Sequence, residues 1–460
     1  MHIAVAWNCS GYKVVLLKKS LLAAAVMSIA FAGVVRAESL TEALAKAYTN
    51  NPAIASALIS VKLASEDIVL RKAGTRPQVN LSATTQYSWA NIGGATSSSN
   101  TTSLNLQYNQ RLFDGFKTTA QIDQARAFAN AATHGLRNTE QNVLLSAATA
   151  YMDVVRDTNL ASLRADNVKF LRAQVSSARN RLNIGEGTKI DVAQAEARLA
   201  QSVAAYKSAV NSLRTSQASY VRWTGTKPSG LNSNFKFGSV LPRSLDEALR
   251  SAKANHPAIQ TAIAQVEAAK FGTDAAMRAF GPTLDLIGSI CAIDCVGGST
   301  QGTTGSIRLT LAIPIYQGGG LGASARKANL SHISAEVEAR ATVSQVEESV
   351  ISAWSGLQSS IALIESANAA VRSSQIALDG VIEERNVGQR TTLDVLNARA
   401  ELTSANESLY TAQRNKVVAA FSLVSAAGKL DAASLHLPVT IQSADGYRAR
   451  VEDIWGELRE

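Results

Sequence analysis

Proline is absent from two long stretches of this 460-residue chain, Phe116 to Asn183 and Leu321 to Asn386, and glycine is sparse in both. Nothing there stops a helix. Cysteine is equally scarce: Cys9, Cys291 and Cys295 are all there is. A zinc site at the last two would need two more ligands, and no His or Cys lies nearby. The five histidines are scattered, and no Ser/His/Asp or paired-carboxylate constellation stands out, so no catalytic site is legible. No apolar stretch beyond residue 37 reaches the roughly 18–20 residues of a membrane helix. That excludes a helical membrane span but leaves a periplasmic protein and a membrane β-barrel, whose strands alternate and evade hydropathy scans.

The first 37 residues read as a removable signal. Lys18 and Lys19 precede an apolar run from Leu21 to Val35, and Val35-Arg36-Ala37 offers a cleavage site that leaves Glu38 as the new terminus. The formal charge of +9 then falls to about +5, because Lys13, Lys18, Lys19 and Arg36 leave with no acid. A balance this mild and scattered does not point to nucleic acid.

The remainder is written twice. Ser39-Leu40-Thr41-Glu42-Ala43-Leu44 returns as Ser244-Leu245-Asp246-Glu247-Ala248-Leu249, and Asn51-Pro52-Ala53-Ile54 as His256-Pro257-Ala258-Ile259, both at an offset of 205. Asn183-Ile184-Gly185 returns as Asn386-Val387-Gly388, and Thr188 to Val192 as Thr391 to Val395, at an offset of 203. The division is therefore a signal peptide (1–37), a first repeat (38–225), a linker (226–243), a second repeat (244–428) and a C-terminal segment (429–460).

Each repeat has one order. A Pro-led helix opens it, Pro52 to Lys72 and Pro257 to Arg278. Alternation follows: from Val79 to Trp89, and again around Leu104, Leu106 and Tyr108, apolar residues take every second place. Four strands of roughly 10 residues are expected, in hairpins at about 78–113 and 283–316, with the Gly/Ser/Asn-rich run Asn91 to Thr102 as a tip. Then come uninterrupted helices of nearly 70 residues, roughly 100 Å long. Gly185 with Gly187, and Gly388, break them, and return helices run to Gly225 and Gly428. Such lengths point to coiled-coil packing.

Four strands cannot close a barrel, and an open edge cannot face lipid. Two copies would give eight strands, which fill their own interior; three give twelve and a lumen. Asn80, Ser82, Thr84, Asn105, Gln107, Asn109, Thr283, Asp285, Arg308 and Thr310 would line that lumen. Tyr87, Trp89 and Tyr108 would mark one membrane interface, with Phe113 and Tyr316 at the other.

Two hairpins, two very long helical hairpins and the turn Asn-(Ile/Val)-Gly-x-x-Thr-x-x-Asp-Val, all in duplicate, resemble the TolC family of outer-membrane efflux proteins from residue 39 to about 430. The resemblance implies a mixed fold, helical hairpins forming a periplasmic α-barrel above a 12-stranded trimeric outer-membrane barrel seated in lipid. It implies a homotrimer without cofactor, a periplasmic adaptor, and an inner-membrane transporter of RND or ABC type. Its activity would be export of small toxic compounds or proteins.

The helical turns have a plain structural role: Gly185 and Gly388 as left-handed caps, and Thr188 with Asp191 or Thr391 with Asp394 as N-caps. The resemblance adds a gate. It implies that Arg390 bonds to Asp191 at the closed tunnel end and that Asp394 belongs to a carboxylate ring. Asn397 stands where the family often has a second aspartate, and Arg385 where it often has a tyrosine, so the ring carries less negative charge and part of the lock differs.

Gly318-Gly319-Gly320-Leu321-Gly322-Ala323 follows a strand and formally meets a nucleotide-binding fingerprint, but the strand before it alternates, and a flexible joint is the simpler expectation. Cys291 and Cys295, near the second hairpin tip, are expected to form a short surface disulfide unless strand geometry forbids it. Two other classes remain: a structural coiled-coil protein of the cell envelope without channel activity, and an exported nucleotide-using enzyme.

Overall fold

The computed structural model describes residues 38–232, 240–296 and 301–456. Its element order repeats as the duplication predicts. A short helix α1 (Leu40–Asn50) leads into α2 (Pro52–Lys72), then strands β1 (Gln78–Ile92) and β2 (Ala95–Phe113), then α3 (Lys117–Asn183) and α4 (Lys189–Thr224). The second round is α5 (Leu245–Asn255), α6 (Pro257–Arg278), β3 (Thr283–Val296), β4 (Gln301–Ala312), α7 (Gly320–Asn386) and α8 (Thr392–Ala426). A last helix, α9 (Asp445–Val451), follows.

Helices α1 and α5 were not expected, although their caps were in view. Ser39 accepts from Glu42 N–H while Glu42 reaches back to Ser39 N–H, a reciprocal capping box. Asn51 and His256 then end these helices and cap the Pro-led ones in a single residue.

The strands form one antiparallel sheet in the order β1-β2-β3-β4, so β1 and β4 each present a free edge. They run 15, 19, 14 and 12 residues, longer than expected. The difference lies in the first hairpin tip. The run Asn91 to Thr102 is no loop: only Gly93 and Gly94, both at positive φ, turn the chain. The remaining polar residues extend the ladder, with Ser88 and Ser99 hydroxyls 2.8 Å apart and Thr85 and Thr102 at 3.3 Å.

Register sorts the faces. Val79, Tyr108, Gly288 and Ile307 lie in one row and Leu81, Leu106, Ile290 and Gly305 in another on the same face. Between them lies the row Asn80, Gln107, Ser289 and Ser306, on the polar face. Farther along that face Arg111 pairs with Asp285 at 2.9 Å. One expectation is corrected. Tyr87 sits opposite Asn100 and Tyr108 opposite Val79. Tyr108 thus lies eight residues along β2 from Tyr87's level, about 26 Å at the usual rise, and belongs to the end nearer Phe113.

The Cys291–Cys295 bridge is corrected too. Both residues lie in β3, and Cys291 is free. Four residues of extended strand separate their Cα atoms by about 13 Å, beyond the roughly 7 Å a disulfide can span. The side chain of Cys295 lies outside the described residues, as does the signal at 1–37.

Helices α3 and α7 are 67 residues each, about 100 Å long. Alanines 125, 129, 147 and 148 are buried on α3, letting neighbours approach closely. The main core gathers midway along the helices, where α1, α3 and the last turns of α4 and α8 meet around Leu44, Leu144, Tyr151, Tyr220, Phe421 and Leu430. The C-terminal segment straps back toward the sheet: Arg126 holds Glu452 at 2.9 Å, and Lys72 holds Asp453 at 2.8 Å. No helix among the described residues is long and apolar enough to cross a membrane.

Candidate functional site

The two helical turns lie at the far end of the bundle from the sheet. Each is built by the same sequence logic. Gly185 and Gly388 take φ of +83° and +82°, a region an L side chain rarely adopts. Glu186 N–H then donates to Arg181 carbonyl at 2.9 Å, and Gln389 N–H to Glu384 carbonyl at 2.8 Å, closing the helix ends.

The next helices start on reciprocal caps. Asp191 N–H donates to Thr188 Oγ1 at 3.1 Å, and Asp191 Oδ2 accepts from Thr188 N–H at 3.1 Å and its hydroxyl at 2.6 Å. Asp394 and Thr391 repeat this at 3.2, 2.9 and 2.8 Å. The hydrogen bonds from Thr391 hold the Asp394 carboxyl below the usual carboxylate range. In both caps Oδ2 takes every bond, so Oδ1 of each aspartate has no hydrogen-bond partner among the described residues. Capping leaves a face of the carboxylate available.

The turns differ most in character at one position. In the first, Gly187 is tight: a Cβ there would stand 3.1 Å from Leu182 N. Arg390 fills the equivalent place in the second. Within one chain Arg390 does not meet Asp191. Its Nε donates to Glu384 Oε2 at 2.7 Å, and that pairing raises its pKa. The other two departures also acquire partners. Arg385 donates to Gln174 Oε1 at 2.9 Å and to Asn386 Oδ1 at 3.0 Å, while its Nε is buried without a partner. Burial, with Arg181 nearby, lowers its pKa. Arg198 of α4 donates to Asn397 of α8 at 3.3 Å, tying the first repeat to the second.

Sequence reasoning missed Glu384, Gln174 and Arg198. The first lies six residues back across a turn, and the others are set by the register of packed helices. Under the tips, Leu171, Val175, Ala195 and Leu396 form one small core, and Leu378, Val395 and Leu402 another. Outside them Ile184, Ile190 and Val387 stand 69, 68 and 73% exposed. At the opposite joint, Gly318 and Gly319 at positive φ turn the chain into α7, as Gly115 and Phe116 do before α3.

The model of the family described as outer membrane efflux protein matches residues 43–226 and 248–429. The chain is 37% identical over 450 residues to the outer membrane efflux protein BepC of Brucella suis, covering 96% of this chain and 97% of that one. It is 27% identical to the outer membrane protein TolC of Escherichia coli, covering 87% and 84%. Among solved structures, the Campylobacter jejuni CmeC outer membrane channel superposes with a TM-score of 0.74 at 16% identity, covering 85% of each chain.

Proposed function

The chain belongs to the outer membrane efflux protein family, and on that premise we propose that three copies close one 12-stranded barrel and one helical tunnel. It is an outer-membrane channel for efflux or secretion, with its helical part in the periplasm. The observation that carries the trimer is the sheet. β1 is exposed at every residue along its length, and both outer edges are unpaired. In lipid such edges must find partners. The β4 edge of one copy meets the β1 edge of the next, and three copies supply the number of strands that leaves a lumen.

The apolar rows then face lipid, and the row containing Asn80, Gln107, Ser289 and Ser306 faces water. Apolar residues left exposed along α7, among them Leu330, Ile333 and Val337, recur at helical spacing and fit a neighbouring copy's helices. At the tips, Arg390, Asp191, Asp394, Asn397 and Arg385 form the closure. Arg390 leaves Glu384 to bond the free Oδ1 of Asp191 on an adjacent chain, and the Asp394 carboxylates ring the opening. The exposed Ile184, Ile190 and Val387 offer an apolar seat for a periplasmic adaptor, behind which stands an inner-membrane transporter of RND or ABC type. Cargo is set by that transporter.

Planar-bilayer recording of the purified protein tests this reading. Insertion should give discrete, low conductance steps that rise when the tips are loosened. A protein that inserts without conducting, under any tip substitution, overturns it.

A further inference from the structure

Glu38 is the most deeply buried carboxylate among the described residues, 3% exposed. Oε1 accepts from Lys46 Nζ at 2.7 Å and from the Tyr220 hydroxyl at 2.8 Å, and Oε2 accepts from the Ser229 hydroxyl at 3.4 Å. Its backbone is held as firmly. The nitrogen donates to Ser229 carbonyl at 3.2 Å, and the carbonyl accepts from the Tyr151 hydroxyl at 2.7 Å and from Asn232 N–H at 3.4 Å. One residue thus joins α1, α3, α4 and the segment after α4.

Charge at this point does not balance. Glu42 lies beside it, accepting from Ser39 N–H at 3.1 Å. Burial and the charges of Glu38 and Glu42 push the Tyr151 hydroxyl up to about 12. Against these two carboxylates, Glu38 buried and Glu42 exposed, stands one contacting cation among the described residues, Lys46. A second cation beside the pair is favoured.

Taking residues 1–37 as a signal, we infer that Glu38 is the N-terminal residue of the mature chain and that these groups form a built seat for its free α-ammonium. Hydrolysis of the Ala37–Glu38 bond by a signal peptidase adds water across it, leaving a carboxylate on Ala37 and an amine, protonated at neutral pH, on Glu38. That amine keeps the bond to Ser229 carbonyl and supplies a second positive charge beside Glu38 and Glu42. A cation near the start of α1 is unfavourable toward the helix dipole, and the carboxylates of Glu38 and Glu42 offset that. Removal of the signal therefore places the new charge on a seat that the folded core around Tyr151 and Tyr220 provides.

The test is N-terminal mapping by mass spectrometry, joined to amine labelling of the detergent-solubilised channel near neutral pH, where an α-amine reacts ahead of lysines. The terminus should map to Glu38. Its α-amine should label at least about tenfold more slowly in the native protein than after denaturation. Tyr220→Phe and Glu38→Ser, each loosening the seat, should speed native labelling by at least about threefold. A glycine inserted between Ala37 and Glu38, leaving the amine one residue outside, should abolish the protection. The inference is overturned by a terminus elsewhere, by equal labelling in folded and denatured protein, or by folded variants whose protection is unchanged. Bilayer conductance of the parent protein is independent of all of these, so the channel reading stands or falls separately.

Discussion

Arg390 stands 2.7 Å from Glu384, across the turn that joins α7 to α8, while Asp191, the partner expected of it, is engaged among the described residues with its own Thr188 alone. Within a single chain the arginine is parked. In the gate we propose it is released to the next copy, so Glu384 and Asp191 would compete for one cation. Arg390→Ala and Asp191→Ala should both raise single-channel conductance. Glu384→Gln should lower it, because the arginine is then left to Asp191. Equal effects of Glu384→Gln and Arg390→Ala in bilayers would show that Glu384 is part of the lock.

Glu140 gives a pH dependence of stability. It is 8% exposed, and its Oε1 accepts from Ala432 N–H at 2.6 Å. Burial raises its pKa from the usual 4.5 to about 7. Between those values the folded protein binds more protons than the unfolded chain, so this group's contribution falls as pH rises from about 4.5 to about 7. Glu140→Gln keeps the acceptor and removes the charge. Thermal unfolding at pH 8 should show the variant more stable by on the order of 3 kcal/mol per chain, with no difference near pH 4. An equal effect at both values would contradict this.

Gly428 should tolerate no side chain. Its φ is +72°, and a Cβ would stand 2.8 Å from the backbone of His256, which caps α6. Gly225 stands likewise against Asn50, with 3.1 Å to its Cβ, so the duplication preserves the contact. Gly428→Ala should cost more than about 2 kcal/mol, read as loss of thermal stability of the solubilised protein. Gly446→Ala, in open space, should be close to neutral.

Much of this was legible in the chain itself. Repetition of Asn-Pro and His-Pro, of Gly185 and Gly388, and of Thr188 and Thr391 set the order of elements and the ends of the long helices, because each residue acts on its own backbone. Strand length at Ala95 to Thr102 was not legible: serine and threonine are turn formers in isolation and ladder formers only beside a partner strand. Nor were the partners of Arg385 and Asn397. Gln174 and Arg198 reach them from helices distant in sequence, through a packing register that no local pattern encodes. The level of Tyr108 needed the sheet register for the same reason.

Cys291 is free and shares the polar row of Ser82, Asn105 and Thr304. A maleimide small enough to enter the lumen should label it, and intact mass without reductant should show no loss of two protons. A mass two units light would restore the bridge and require β3 to be broken near its tip.

The central claim is that the chain's sheet is one third of a barrel, and the native mass of the detergent-solubilised protein tests it most directly. Three chains per particle, stable on dilution, are predicted from the free edges of β1 and β4. A stable monomer would contradict the account.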